Sequence, residues 1–271
     1  MYCAYQLAEV KFGESSGWLT EGKRLEVENL QRVRGSLESF VGTDGEIDAS
    51  RMMTDWFGGV SADVFISHSR ADKDLALTIA GWLSKELDVS SFVDSCAWGH
   101  ANILLRQIDD AFCKTGGATY SYFHSTVTAS HVHLMLSTAL SQMLDRCECV
   151  FFLNSEHSLK SVSVRSMAES EEDYITQSPW LFHELSMLRL IRRREKEEHR
   201  PGIVKSANFA EAKAQVPAFN YPVSLAGLPA LGVSELKQWQ EQWSDEKIER
   251  RHALDCLYEI RFPDCRKTIV G

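Results

Sequence analysis

The stretch Asp63-Val64-Phe65-Ile66-Ser67-His68-Ser69 decides the fold, because a short apolar run ends there in small polar residues. The apolar part is continuous and contains β-branched side chains, which indicates a strand buried on both faces. Apolar residues then recur at helical spacing from Leu75 to Leu87. That spacing predicts an amphipathic helix directly after the strand.

The order of strand and helix continues along the chain. Residues 91–94 predict a second strand, followed by a loop and a helical pattern, and residues 149–153 predict a third buried strand. A further helix is predicted from Pro179 to about Arg194, with Ser178 as its N-cap. Short apolar strands that alternate with helices are typical of a parallel α/β sheet with helices on both faces.

The remaining segments have less regular patterns. Residues 1–60 are interpreted as an N-terminal extension with a helix near 20–40. Residues 114–130 are interpreted as a polar insertion before a helix that starts at about 132. Towards the C-terminus the sequence predicts a strand at 202–204 and another at 221–225. One or two amphipathic helices are predicted at 234–260.

The composition excludes several classes of protein. The 271 residues have a formal net charge of −9, which argues against a nucleic-acid-binding surface, since phosphate neutralisation needs clustered cations. No apolar run approaches the roughly 20 residues that span a bilayer, and residues 1–12 lack the features of an export signal. We therefore expect a soluble, cytoplasmic protein that binds neither nucleic acid nor membrane.

Cysteine and histidine usage gives no sign of a metal site. The seven cysteines are odd in number and scattered, which predicts reduced thiols. His131 and His133 lie two residues apart, a spacing that shares one face of a strand but not of a helix, and no third ligand follows at a suitable spacing. No metal and no resident cofactor are expected.

Three polar segments are predicted to meet at one edge of the sheet. They are residues 67–69 after the first strand, the loop 94–99 after the second, and residues 178–184 at the start of the helix after the third. Ligand sites of open α/β sheets form outside the carboxyl ends of the strands. A functional site is therefore expected where these segments converge.

The same three segments resemble those of a known family. Residues 63–69, followed by Phe92-Val93-Asp94 and Trp98-Gly99, resemble the first two sequence boxes of Toll/interleukin-1 receptor (TIR) domains. Residues 178–185, Ser-Pro-Trp-Leu-Phe-His-Glu-Leu, are similar to the third box, which carries the catalytic glutamate of TIR-type NAD-cleaving enzymes. Three motifs in the correct order are more specific than any one of them.

The resemblance implies a domain organisation and a function. A flavodoxin-like TIR domain would cover 61–225, between the N-terminal extension 1–60 and a helical C-terminal extension, 226–271. Within the family the chain resembles stand-alone bacterial anti-phage proteins of the Thoeris type. The resemblance implies an NAD+ nucleosidase or ADP-ribosyl cyclase that releases nicotinamide and forms ADP-ribose or a cyclic form of it. Self-association and a downstream effector that senses the nucleotide product are implied with it.

Glu184 is expected to be the catalytic residue. Nicotinamide leaves NAD+ as a neutral molecule, so the reaction needs no general acid, in contrast to glycoside hydrolysis with its two carboxyl groups. One carboxylate can hold the ribose hydroxyls and stabilise the positive charge that develops on the ribose. An isolated glutamate here would be interpreted as a solvated residue in the first helical turns; the order of the motifs favours a function.

Seven further residues are candidates for binding the substrate. For several of them a structural role explains the residue type as well. His68 and Ser69 either bind ribose or phosphate or cap the next helix. Trp98 either stacks on a base or holds its loop against the sheet, and Trp180, four residues before Glu184, either contacts the ligand or belongs to the core. The seven candidates are Ser67, His68, Ser69, Asp94, Trp98, Ser178 and Trp180.

A function without catalysis remains open. The alternative is a TIR scaffold that joins other TIR proteins through residues 95–99 and turns over no substrate. A scaffold has no need of a carboxylate at the strand ends, so the pairing of Trp180 with Glu184 favours the enzyme. A nucleotide-binding regulator with the same α/β order lacks support, because no glycine-rich phosphate loop follows the first strand.

Overall fold

The described part of the computed structural model contains ten strands and seven α-helices. The described residues are 1–8, 10, 17–30, 40–41, 47–49, 51–52, 62–117, 119–161, 174–176, 178–195, 199, 221–223, 225, 227–246 and 252–261. The strands are β1 (Cys3–Ala8), β2 (Val64–Ser67), β3 (Ser91–Val93), β4 (Lys114–Gly116), β5 (Thr119–Tyr120), β6 (Cys149–Asn154), β7 (Lys160–Ser161), β8 (Tyr174–Thr176), β9 (Tyr221–Val223) and β10 (Ala230–Leu231). The helices are α1 (Trp18–Leu30), α2 (Lys73–Leu87), α3 (Ser95–Ile108), α4 (Tyr122–Arg146), α5 (Pro179–Leu190), α6 (Val233–Glu246) and α7 (Ala253–Arg261).

Five strands form one parallel sheet in the order β10-β1-β6-β2-β3. The adjacent strands β2 and β6 are buried almost throughout, which explains why both read as continuous apolar runs in the sequence. Together with its helices, this sheet confirms the predicted α/β fold of the flavodoxin-like type. The three strands predicted from apolar runs all lie in it.

The N-terminal strand β1 was not predicted. It pairs in parallel with β6 along its whole length, Cys3–Ala8, and with β10 at Gln6 and Leu7. Residues 1–60 thus contribute a strand to the sheet as well as the predicted helix, α1. The strand contains no β-branched residue, and without one its sequence carries little local preference for a strand.

The position of β1 in the sheet differs from the strand connection that is usual for flavodoxin-like folds. Flavodoxin-like sheets have the strand order 2-1-3-4-5. If β2 is counted as the first strand, β3 and β6 take the expected second and third positions. The fourth position, next to β6, belongs to the N-terminal strand β1 instead of to a strand that follows β6 in the chain.

The helices form two packed groups. Helix α2 packs against α1 and α6, while α4 packs against α3 and α5. Aromatic side chains join the first group to the sheet: Trp239 lies edge-on to Trp82, with 5.5 Å between ring centroids, and 6.1 Å from Phe151. The Trp82 Nε1–H donates to Gln240 Oε1 at 3.0 Å, which satisfies the polar atom of a buried indole.

Helices α1 and α2 cross at two glycines. A Cβ atom on Gly22 would lie 1.9 Å from the Leu77 carbonyl oxygen, and one on Gly81 would lie 1.9 Å from the Trp18 carbonyl oxygen. The two backbones touch because neither residue has a side chain. Beside the crossing, Trp18 Nε1–H donates to Glu86 Oε1 at 2.8 Å.

Three predicted boundaries are wrong. Helix α5 ends at Leu190 instead of about Arg194, because the backbone of Ile191 is already extended (φ −66°, ψ 130°). Residues 94–99 are not a loop, because α3 begins at Ser95 and Asp94 already has helical backbone angles (φ −59°, ψ −33°). Helix α4 begins at Tyr122 instead of about 132, because the Ser121 side chain caps it by accepting a hydrogen bond from the His124 N–H. The predicted insertion at 114–130 therefore contains the hairpin of β4 and β5 and the first turns of α4.

The C-terminal predictions have mixed outcomes. The strand predicted at 221–225 exists as β9, but it belongs to a separate antiparallel sheet in the order β7-β8-β9. The candidate strand at 202–204 lies outside the described residues. Helices α6 and α7 confirm the helices predicted between 234 and 260.

The prediction of reduced cysteines is wrong at one position. Cys113, Cys147 and Cys149 are buried thiols, and burial raises the pKa of Cys147 to about 12. Cys3, in contrast, takes part in a disulfide bond. Scattered spacing in the sequence does not show which cysteines come within bonding distance in the fold.

No helix in the described ranges is long and apolar enough to cross a membrane.

Candidate active site

The strand order reverses between β2 and β6. From β2 the chain continues to β3 on one side, whereas β6 and then β1 lie on the other side. At such a point the connections diverge and leave a space outside the carboxyl ends of the two strands. The three predicted site segments meet at this edge. Residues 67–69 lie at the end of β2, Asp94 follows β3, and helix α5 contacts the end of β2 through Glu184.

Glu184 meets the end of β2 directly. Ser67 Oγ donates a hydrogen bond to Glu184 Oε2 at 2.6 Å, across a sequence separation of 117 residues. Both side chains are buried, and Glu184 has no exposed surface. The hydrogen bond places Glu184 at the end of the first predicted strand, where the predicted site requires it.

The local sequence of α5 determines where Glu184 points. Ser178 Oγ accepts a hydrogen bond from the Leu181 N–H at 3.3 Å, and Pro179 occupies the first turn. This is the predicted N-cap, and it starts the helix so that Leu181, Glu184, Leu185 and Leu188 form its buried face. Glu184 is thus the one acidic residue within an otherwise apolar helix face.

Asp94 and His68 form the second contact of the site. The backbone N–H of His68 donates to Asp94 Oδ2 at 3.3 Å, and His68 Nδ1 contacts Asp94 Oδ1. Neither side chain is exposed. The backbone N–H is the hydrogen-bond donor in this contact, and a buried carboxyl group needs one because burial removes the water that would otherwise solvate it.

The environment of Glu184 opposes its ionisation. Burial raises the pKa of Glu184 well above the ordinary value of 4.5, and the neighbouring Asp94 carboxyl group raises it further. The hydrogen bond from Ser67 acts in the opposite direction and lowers the pKa, since it stabilises the charged form. In the buried state, Glu184 therefore favours its protonated form.

Ser69 belongs to a separate polar cluster. Ser69 Oγ and Ser155 Oγ both donate to Asp72 Oδ2, at 2.5 and 2.6 Å. Ser155 follows β6, so the cluster ties the ends of β2 and β6 together at the reversal point. Asp72 and Ser155 were not predicted as site residues, although a serine within two residues of the end of each strand was a signal available in the sequence.

The side chain of one of the two candidate tryptophans, Trp180, belongs to the described structure. The Trp180 ring is partly buried and lies edge-on to His133 of α4, with 5.8 Å between centroids. This contact favours the packing interpretation of Trp180. Trp98 lies in the first turn of α3, in the segment predicted as a loop, and its side chain is outside the described structure.

A neighbour of Glu184 that was missed fixes α5 to α4. His183 Nε2 lies 3.1 Å from Ser141 Oγ and 3.1 Å from the Ser137 carbonyl oxygen, both on α4. Burial lowers the pKa of His183, which favours the neutral ring that such a polar bridge needs. The bridge holds the helix that carries Glu184 against the long helix α4.

No group of histidine, cysteine, aspartate or glutamate side chains in the described part of the chain could hold a metal ion. Comparison with known proteins does not extend these observations: no protein-family model, no curated protein and no solved structure matches the chain.

Proposed function

We propose that the protein cleaves the bond between nicotinamide and ribose in NAD+, with Glu184 as the catalytic carboxylate, in the manner of TIR-type nucleosidases and cyclases. The observation that carries the proposal is the meeting of Ser67, Asp94 and Glu184 at the carboxyl edge where the strand order reverses. A buried carboxyl group at this edge costs stability. Buried ionisable residues that destabilise the fold are typical of functional sites.

The reaction needs one negative charge beside the ribose. When the bond between the ribose carbon and the pyridinium nitrogen breaks, the electron pair leaves with nicotinamide and positive charge develops on the ribose. An ionised Glu184 stabilises that charge and accepts hydrogen bonds from the ribose hydroxyls. Ser67 keeps the Glu184 side chain oriented through its 2.6 Å hydrogen bond. Water or an atom of the substrate then captures the ribose.

Access and ionisation are coupled in this proposal. Glu184 has no exposed surface, so the substrate reaches it only when the edge of the sheet opens. Opening admits water, and the substrate brings a cationic pyridinium; both changes favour the ionised form of the carboxyl group. Turnover is therefore expected to rise with pH as Glu184 loses its proton.

The test is nicotinamide release from NAD+ by purified protein and by Glu184→Gln. The amide keeps the size and the hydrogen-bonding reach of the side chain but cannot become negative. We expect turnover to fall by roughly a hundred- to thousandfold, as for the loss of other preorganised electrostatic groups. Binding of NAD+ should change far less.

Glu241→Gln is the matched control, because Glu241 is an exposed residue of α6 and should not affect turnover. Equal rates for wild type and Glu184→Gln would remove Glu184 from the mechanism. If the wild-type protein released no nicotinamide at any pH at which it is folded, the proposed function would be refuted, and the non-catalytic scaffold would be the better hypothesis.

A further inference from the structure

Exposed apolar side chains are concentrated in one part of the molecule. Nine large apolar residues within the described ranges are exposed, and six of the nine lie between residues 112 and 134. They come from the π-helical turn Asp109–Cys113, the hairpin of β4 and β5, and the first half of α4. The six residues, called the hairpin surface below, are Phe112, Tyr120, Tyr122, Phe123, Val127 and Leu134.

The hairpin surface is built on regular secondary structure. The Cys113 carbonyl oxygen accepts a hydrogen bond from the Ser121 N–H at 2.8 Å, which closes the hairpin at the start of α4. Phe123, Val127 and Leu134 follow one another at intervals of four and seven residues. Such intervals place them on one face of the helix. The exposed side chains therefore form a row along α4 that begins at the hairpin.

The same stretch is almost free of charge. Charged residues make up 25% of the chain, but residues 111–144 contain a single one, Lys114. Lys114 Nζ lies 2.9 Å from Asp110 Oδ1, and the resulting ion pair is neutral. The solvent-facing side of a helix usually carries charged and polar residues. An exposed helix face with apolar residues and no charge indicates a surface that another molecule covers.

The exposed area matches what a dimer interface needs. Phe112, Tyr120, Tyr122 and Phe123 are 48%, 44%, 86% and 69% exposed. With about 150–250 Å² for each aromatic side chain, they offer roughly 400–600 Å² together. A standard interface buries about 800 Å² on each partner, and about 65% of this area is apolar in homodimers. The four aromatic residues therefore supply most of the apolar area for one side of such an interface.

We propose that the hairpin surface is the interface of a dimer, with a second copy of this chain as its occupant. Two chains with a formal net charge of −9 repel each other, and an uncharged contact surface keeps this repulsion smallest. Homodimer interfaces are also rich in aromatic residues and poor in charged ones.

Charge argues against the other occupants of this surface. A helix that lies on a membrane carries lysine and arginine on its polar face, and residues 122–144 of α4 have neither. Nucleic acid would need the same cations. The inference goes beyond the proposed function and does not depend on it. It also places self-association at a surface separate from residues 95–99.

The experiment measures the mass of the full chain by sedimentation equilibrium over a range of protein concentrations, for wild type, Phe123→Glu and Val127→Glu. Each substitution places one carboxylate from each copy in the interface, where burial and mutual repulsion oppose association. The dissociation constant of the dimer should rise by on the order of a hundredfold. Thermal unfolding of each variant shows whether it is folded.

Val27→Glu is the matched control. Val27 is a valine of α1 that is 48% exposed, against 42% for Val127. The same change of side chain and charge is thereby made outside the hairpin surface. It should leave the dissociation constant unchanged.

The possible outcomes either support or overturn the dimer. A wild-type dimer that both glutamates of α4 weaken and Val27→Glu does not supports the inference. A wild-type protein that stays monomeric up to about 1 mM overturns it, as does a dimer that neither α4 variant weakens. Equal weakening by all three variants overturns it as well, since the added charge alone would then be the cause. Binding of a monomeric wild type, but not of Phe123→Glu, to phosphatidylcholine vesicles would assign the surface to a membrane instead.

Discussion

Glu184→Gln should make the protein more stable than wild type at neutral pH. The difference in the free energy of unfolding should grow as the pH rises. The buried Glu184 has its pKa raised well above 4.5, first by burial and then by Asp94. Above pH 4.5 the unfolded chain therefore releases a proton that the folded chain retains. Stability contributed by this group is fully present below the unfolded pKa and is lost as the pH rises towards the folded pKa.

The magnitude follows from the proton linkage. While the folded protein retains one proton that the unfolded chain has lost, each pH unit lowers the free energy of unfolding by about 1.4 kcal/mol. Glutamine does not titrate and resembles the protonated acid in shape, so the variant escapes this loss. For a chain of this size, the advantage of the variant corresponds to roughly 3–6 °C in melting temperature for each pH unit.

The assay is denaturant unfolding of wild type and variant at about pH 5, 6 and 7. The two free energies of unfolding should be closest at the lowest pH and should diverge as the pH rises, up to the folded pKa of Glu184. Glu241→Gln, at an exposed position of α6, controls for the removal of a charge and should stay parallel to wild type. Parallel curves for Glu184→Gln as well would refute a buried, protonated Glu184.

Two predictions concern the framework that holds the site. Gly22→Ala should destabilise the protein by about 1–3 kcal/mol, because the new Cβ would lie 1.9 Å from the Leu77 carbonyl oxygen. The measurement is thermal unfolding, and the control is Thr20→Ala, an exposed change on the same helix. Equal melting temperatures of the two variants would contradict the close crossing. Ser178→Ala should lower the free energy of unfolding by about 0.5–2 kcal/mol, because it removes the N-cap of α5, whereas Ser178→Asp should retain the cap. If the unfolding curves of the two variants coincide, the contact to Leu181 does not stabilise the helix.

Local patterns in the sequence determined the elements that surround the site. The apolar runs of β2 and β6 predicted their strands because a strand buried on both faces carries no polar alternation. Ser178 and Pro179 predicted the start of α5 because capping depends on residues adjacent in the chain. The convergence of Ser67 and Glu184 followed from the rule that parallel strands end at a common edge.

Tertiary structure alone decided the rest. β1 is a strand because β6 and β10 pair with it, and such partners, more than 100 residues away, leave no trace in the local sequence. Asp94 was expected beside Glu184, but only the packed site buries both groups completely. This burial and the neighbouring Asp94 carboxyl group raise the pKa of Glu184. Burial and the distances between ionisable groups are properties of the folded molecule. The sequence therefore identified the Glu184 carboxyl group as a candidate but did not predict its protonation.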